Sequence, residues 1–312
     1  MDSPSPIRVV LAFLAIYVIW GSTYLAIAFA IESIPPFLMA GSRFVITGTV
    51  LLAYLFLKKT KMPTLQQWKS ASISGIFLFV GGNVSVVWAE KYIASGVAAI
   101  IVASMPLWFV LFDRSQLLKL KTDRRLGIGL LLGFAGVIIL TGIDDMIMGR
   151  LSIEEIISYF ILIIAPISWV IGTLYAKREN HPSDLMSKIA IQSLAGGLVT
   201  LVMSMVAGEM NTFEMSNVSF LSMSSLFYLI IFGTIIAYYA YAWLIQIRPS
   251  TQVGTYAYVN PIIAVVLGWW LNSEVLSLNV IVGLIVILTG VFLVNYSFAK
   301  ERKLAMGNIK VK

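Results

Sequence analysis

Apolar runs, each close to the roughly 20 residues that a helix needs to cross about 30 Å of hydrocarbon, follow one another along the chain with short polar stretches between them. Ten are legible, over residues 8–30, 36–57, 69–90, 94–113, 124–142, 155–176, 185–207, 219–245, 250–271 and 276–298. They predict an all-α polytopic membrane protein with ten transmembrane helices. The first run, from Arg8 to Ala28-Phe29-Ala30, has the outline of a cleavable signal peptide. It is longer than the roughly 7–15 residues of a signal core and is read as an integral span.

Composition and charge sharpen this picture. Of 312 residues, 59% are apolar or aromatic and 12% charged, against about 45–50% and about 25% in soluble domains. The mean hydropathy is +0.91. The absence of cysteine excludes disulfides, thiolate metal sites and cysteine nucleophiles, and a single histidine, His181, excludes a multi-histidine metal site. No cofactor is expected. The net charge of +7 could signal nucleic acid, but its distribution argues against that partner. With the N-terminus inside, nineteen Lys and Arg fall on the inner side, Lys91 and Arg150 on the outer side, and Arg43 alone within a span, which accounts for all 22. This positive-inside pattern puts both termini in the cytoplasm and the chain in the cell membrane, with the lipid bilayer as its surroundings.

The chain also reads as two halves joined near residues 143–154. Trp20 matches Trp169 and Gly48 matches Gly197 at an offset of 149; Trp88, Ser95 and Pro106 match Trp243, Ser250 and Pro261 at 155; Gly129 and Gly136 match Gly283 and Gly290 at 154. Five spans per half is an odd number, so the second half sits inverted relative to the first. Inverted repeats underlie many secondary transporters, which bind a small-molecule substrate near the midplane between halves that rock.

Trp20-Gly21-Ser22-Thr23, Arg43-Phe44, the stretch from Gly96 to Pro106, and Gly133 to Gly136 together resemble an EamA-type exporter of the drug/metabolite transporter superfamily. The resemblance covers roughly residues 8–298. It implies an EamA-like repeat over 1–142, an outer connecting loop over 143–154, a second repeat over 155–298 and a basic cytoplasmic tail over 299–312. It further implies a central cavity built from spans 1, 3, 4, 6, 8 and 9, and export of amino acids, related metabolites or drugs.

Candidate cavity residues follow from depth and helical face. Trp20, Thr23 and Tyr24 share one face of span 1, and Gln252, Tyr256 and Asn260 recur every four residues in span 9, a polar stripe that lipid would not tolerate. The 155 offset sets those three against Val97, Ile101 and Met105 in span 4, and Tyr238 against Asn83 in span 3. With Trp169, these positions outline an asymmetric, amphipathic pocket with aromatic walls. The alternative reading is packed aromatics and a threonine bonded to its own helix.

Arg43 is the only basic residue inside a span and either holds a substrate carboxylate or pairs with Glu90 or Glu32 at the outer ends of spans 3 and 1. Pro106 and Pro261 are candidate hinges, because proline removes a helix hydrogen bond. The Gly129, Gly133 and Gly136 series permits close helix packing, and a homodimer through such a face is open.

Enzyme signatures are missing: there is no Gly-x-Ser-x-Gly elbow, P-loop or midspan aspartate pair. A non-transporting scaffold or sensor has no soluble domain through which to signal. No acid lies at midspan, so either Glu90 at the rim takes a proton or the protein is a facilitator, the reading preferred from sequence. A lone Arg43 argues against sugar-phosphate or nucleotide-sugar cargo.

Overall fold

The computed structural model describes residues 5–112, 123–140, 151–178, 184–248, 253–254 and 256–309; Gln252 and most of the 143–154 connection lie outside them. Ten long helices account for most of the described chain: α1 (Pro6–Ile31), α2 (Pro36–Leu57), α3 (Leu65–Ala89), α4 (Ser95–Phe112), α5 (Arg124–Leu140), α6 (Ile153–Arg178), α7 (Leu185–Val206), α8 (Phe220–Ile247), α9 (Tyr256–Leu271) and α10 (Leu278–Ile309). Seven of them are long and apolar enough to cross a membrane, and α9 and α10 contribute the shorter apolar segments Val259–Leu271 and Leu278–Val294. Phe56, Leu131, Val202 and Trp270 stand exposed on α2, α5, α7 and α9, a placement that suits lipid rather than water.

Helix starts follow local chemistry. Pro36 opens α2, where a missing N–H costs nothing. Thr64 and Gln67 form a capping box on α3, Asp184 caps α7 and Ser219 caps α8, each through a side-chain oxygen on an otherwise orphaned N–H. Helix α10 continues from the apolar span through the basic stretch to Ile309, and residues 249–252 and 255, where span 9 was expected to start, lie outside the described ones.

Interior irregularities were not visible in the hydrophobic pattern. Three helices widen into π-helical turns, at Ala15–Ile19 in α1, Ile76–Val84 in α3 and Leu229–Ile236 in α8. Helix α4 is interrupted at Ala103 and Ser104, just before Pro106, whose ring would clash with the carbonyl four residues back. Pro166 and Pro261 instead lie inside continuous helices.

The most extensive packing joins α2 to α7 and α5 to α10, while α1, α3, α4, α6, α8 and α9 meet around the centre. Glycines permit the closest approaches. A Cβ on Gly129 would lie 2.8 Å from the Gly290 carbonyl oxygen, and one on Gly290 would lie 2.6 Å from that of Gly129. At one end of the bundle, two glutamates of the second half cap helices of the first. Glu209 accepts the backbone N–H of Phe37 (3.2 Å) and Leu38 (2.8 Å) at the start of α2. Glu274 accepts those of Ser95 and Gly96, both at 3.0 Å, at the start of α4. Each carboxylate sits where the helix dipole is positive.

If backbone contact between α5 and α10 holds that pair together, Gly290→Leu will destabilise the fold by about 1–3 kcal/mol through overpacking. Gly127→Leu on the same pair, where a Cβ meets nothing within 4 Å, will not. Thermal aggregation midpoints of the detergent-solubilised variants, read by size exclusion, check this: equal midpoints for both would show that the contact carries no stability.

Candidate functional site

The central helices line a partly open cavity. It gathers Trp20, Thr23 and Tyr24 from α1, Asn83 from α3, Met105 from α4, Trp169 from α6, Tyr238 from α8 and Tyr256 and Asn260 from α9, with Arg43 of α2 in its wall. Val97 and Ile101 do not line it; Ile101 packs in a core of α4, α5, α6 and α10, and Val102 takes the cavity position on α4.

An aromatic cluster forms one wall. The Trp20 ring lies 5.8 Å from Trp169 and 5.2 Å from Tyr256, both edge-on, and Trp169 lies 6.2 Å from Tyr238. These separations suit edge-to-face attraction between ring quadrupoles. Tyr241, which sequence reasoning missed, is buried behind the wall, 5.0 Å from Trp20, and accepts the Trp169 indole N–H at 3.4 Å.

The π-helical turns of α3 and α8 line this cavity, and that of α1 ends one residue before Trp20. Side chains bond carbonyls in all three. Trp20 Nε1 donates to the Gly233 carbonyl (3.2 Å), Ser168 Oγ to Phe77 (2.7 Å) and Thr234 Oγ1 to Leu229 (3.0 Å). With its amide nitrogen turned toward the backbone, Asn260 donates to the carbonyls of Ile16 (3.2 Å) and Tyr17 (3.1 Å).

Most of the polar groups expected to meet a ligand are therefore committed to the protein. Thr23 Oγ1 donates to the Trp20 carbonyl (2.7 Å), Tyr238 Oη to Gln192 Oε1 (2.8 Å) and Tyr256 Oη to Met105 Sδ (2.9 Å). In low dielectric an unpaired hydroxyl is costly, which accounts for the internal pairing.

Arg43 is buried, at 3% exposure. Its Nε donates to Thr234 Oγ1 at 2.8 Å, its Nη1 reaches Asn83 Oδ1 at 3.4 Å, and its guanidinium carbon stands 5.0 Å from the Phe44 ring centre. Neither expected protein partner pairs with it: Glu32 is exposed at the end of α1, and Glu90 makes no hydrogen bond with it. Thr234 and Asn83, brought beside it by the π-helical turns of α8 and α3, take the contacts instead. Thr234 carried no signal in the sequence beyond being a hydroxyl in an apolar run.

Glu90, one residue beyond α3, is 8% exposed, and neither carboxyl oxygen has a hydrogen-bond partner. Burial pushes its carboxyl well above the usual carboxylate range, the Glu274 carboxylate adds to that shift, and the Arg43 guanidinium opposes it. Pro106 lies beside the α4 interruption and lines no part of the cavity, Pro261 follows Asn260 in α9, and Pro166, not singled out from sequence, is itself in the wall.

Known proteins share this architecture. A crystal structure with 18% sequence identity superposes at a TM-score of 0.63, covering 92% of this chain and 97% of its own. An uncharacterized inner membrane transporter of Escherichia coli strain K12, YedA, is 40% identical over 285 residues, 89% of each chain. An uncharacterized transporter of Bacillus subtilis strain 168, YoaV, is 23% identical over 297 residues, 95% of this chain and 99% of its own. The EamA-like transporter family matches twice, over residues 7–142 and 156–296, and the chain belongs to that family, as a multi-pass transporter of the cell membrane.

Proposed function

We propose that the chain is a ten-span secondary transporter with two inverted five-helix repeats and both termini in the cytoplasm, exporting a small amphipathic metabolite such as an amino acid or aromatic compound by alternating access. The repeat reading is supported by contacts that its own offsets interchange. Under the 154 offset, the approach of Gly129 to the Gly290 carbonyl exchanges with that of Gly136 to the Gly283 carbonyl. Both approaches occur, as an isologous two-fold relation between halves requires. Helices α2 and α7, and α5 and α10, are likewise each other's mates under these offsets and pack together.

The observation that carries the transport reading is the cavity itself. It lies where both halves meet, and its lining sets aromatic side chains beside one guanidinium whose Nη2 donates to no described protein atom. An apolar body would lie against Trp20 and Trp169 while a hydrogen-bonding group reaches Arg43 and Asn83. Because Thr23, Tyr238, Tyr256 and Asn260 are bonded internally, few groups remain to read polar detail, and this favours drug or xenobiotic efflux as the second reading.

Extracellular metabolite profiles from cells overexpressing the wild type, Trp20→Ala, Arg43→Ala or an empty vector test this, with membrane levels matched. One metabolite is expected to accumulate outside with the wild type and to fall about tenfold in each variant, since loss of one aromatic or charged contact removes about 1.4 kcal/mol. A wild-type profile identical to vector would overturn metabolite export and turn the test to efflux of added drugs.

Orientation has its own check in this cysteine-free chain. Met215→Cys, between α7 and α8, is expected to react with a membrane-impermeant maleimide on intact cells, and Met62→Cys, between α2 and α3, only after lysis. The reverse pattern would place the termini outside.

A further inference from the structure

We propose that Glu90 is a proton-binding site: it holds a proton in the form seen here, in which Glu209 and Glu274 tie the two halves at one end, and releases it to outside water when that tie opens. The inference rests on the transporter reading for which side is outside; the protonation itself does not.

Three carboxyl groups near one end of the bundle have very different surroundings. Glu209 receives two backbone N–H groups and the Ser204 hydroxyl at 2.8 Å. Glu274 receives two backbone N–H groups, the Ser95 hydroxyl and, at 3.3 Å, the Asn272 amide. Both are furnished for a negative charge. Glu90 is furnished with nothing: both oxygens are buried and unpartnered. A buried carboxylate without donors is strongly disfavoured, whereas the neutral acid is tolerated.

The surroundings on every side reinforce this. The charged or titratable groups that bear on Glu90 are Tyr24 of α1, Arg43 of α2 and Glu274 before α10, and its chain neighbours are Lys91 and Tyr92. Glu274 is a second carboxyl group, seated on the backbone N–H groups at the α4 N-terminus. Arg43 is the opposing influence, yet it turns its Nε and Nη1 to Thr234 and Asn83 and forms no ion pair with Glu90.

Mechanical consequences follow from position. Glu90 sits in the first half and Glu274 in the second, so a negative charge on Glu90 repels the carboxylate that ties the two halves together. The neutral acid permits the tie. Separation admits water, and the carboxyl dissociates to carboxylate plus one proton, which leaves to the outside. Opening outward is then linked to the loss of one proton, whatever the cargo.

Two readouts test this. Infrared spectra of detergent-solubilised protein at pH 7 are expected to contain a protonated carboxyl C=O band of the weakly hydrogen-bonded kind that disappears in Glu90→Gln and remains in Glu274→Gln. A spectrum in which Glu90→Gln removes no such band overturns the proposal. For the linkage, Val86→Cys lines the cavity one turn below Glu90 and is labelled from outside, its rate divided by that of the exposed Met215→Cys to cancel thiol ionisation. That ratio is expected to rise about tenfold per pH unit while Glu90 is protonated, because one proton is released per opening. It should be flat in Glu90→Gln and sloped again in Glu90→Asp.

A flat wild-type ratio, or a slope that persists in Glu90→Gln, overturns the linkage. If Met215→Cys is not labelled from outside, the orientation has failed and the infrared band still decides the protonation.

Discussion

Backbone polar groups in hydrocarbon have no water to turn to, and the rest of this structure depends on that constraint. It demands helices, and it permits a departure from the helix only where another group takes up what the departure frees. The three π-helical turns are such departures, and the carbonyls of Ile16, Tyr17, Phe77, Leu229 and Gly233 are met by Asn260, Ser168, Thr234 and Trp20. All but Thr234 reach across to a different helix. Widened turns, which recur at functional sites, thus double as the ties that hold the two halves around the cavity. The same cross-helix bonds lie in and beside the wall of the cavity.

The span pattern was legible because it rests on length and hydropathy alone. Helix α2 coincides with the expected 36–57, and most other ends fall within a few residues of expectation. The cavity residues were legible for a related reason: a polar or aromatic side chain at midspan must face protein or water, so Trp20, Asn83 and Asn260 identify their own faces. What those side chains bond to was not legible. Asn260 supports α1, Tyr238 is anchored on Gln192 of α7, and Arg43 bonds Thr234 on α8. Each choice is made between helices distant in sequence, and π-helical turns that rotate one face against the next leave no mark in a hydropathy profile. Pro166 escaped notice for a similar reason, since its place in the wall depends on how α6 leans on α3.

The repeat carries this point further. The 149 offset that pairs Trp20 with Trp169 also pairs Tyr17 with Pro166. In α1 the backbone is loosened by a π-helical turn that includes Tyr17, and in α6 at the matching place by a proline that donates no hydrogen bond. Two local chemistries reach one end, a helix whose ladder is relaxed beside the cavity. The outer pairs α2 with α7 and α5 with α10 have no such interruption and pack through glycine contacts. Uninterrupted helix pairs thus flank central helices whose ladders are relaxed.

Charge follows the same division between what is supported and what is left to change. Glu209 and Glu274 lie on helix N-termini with full sets of donors, so closing one end of the bundle costs them little desolvation that hydrogen bonds do not offset. Arg43 is buried on Thr234 and Asn83 alone, Glu90 is buried on nothing, and the two are not paired with each other. Stability alone would favour replacing both with apolar side chains, because even a buried ion pair is a weak source of stability. The two ionisable groups instead stand apart, one in the wall of the cavity and the other beside the tie between the halves.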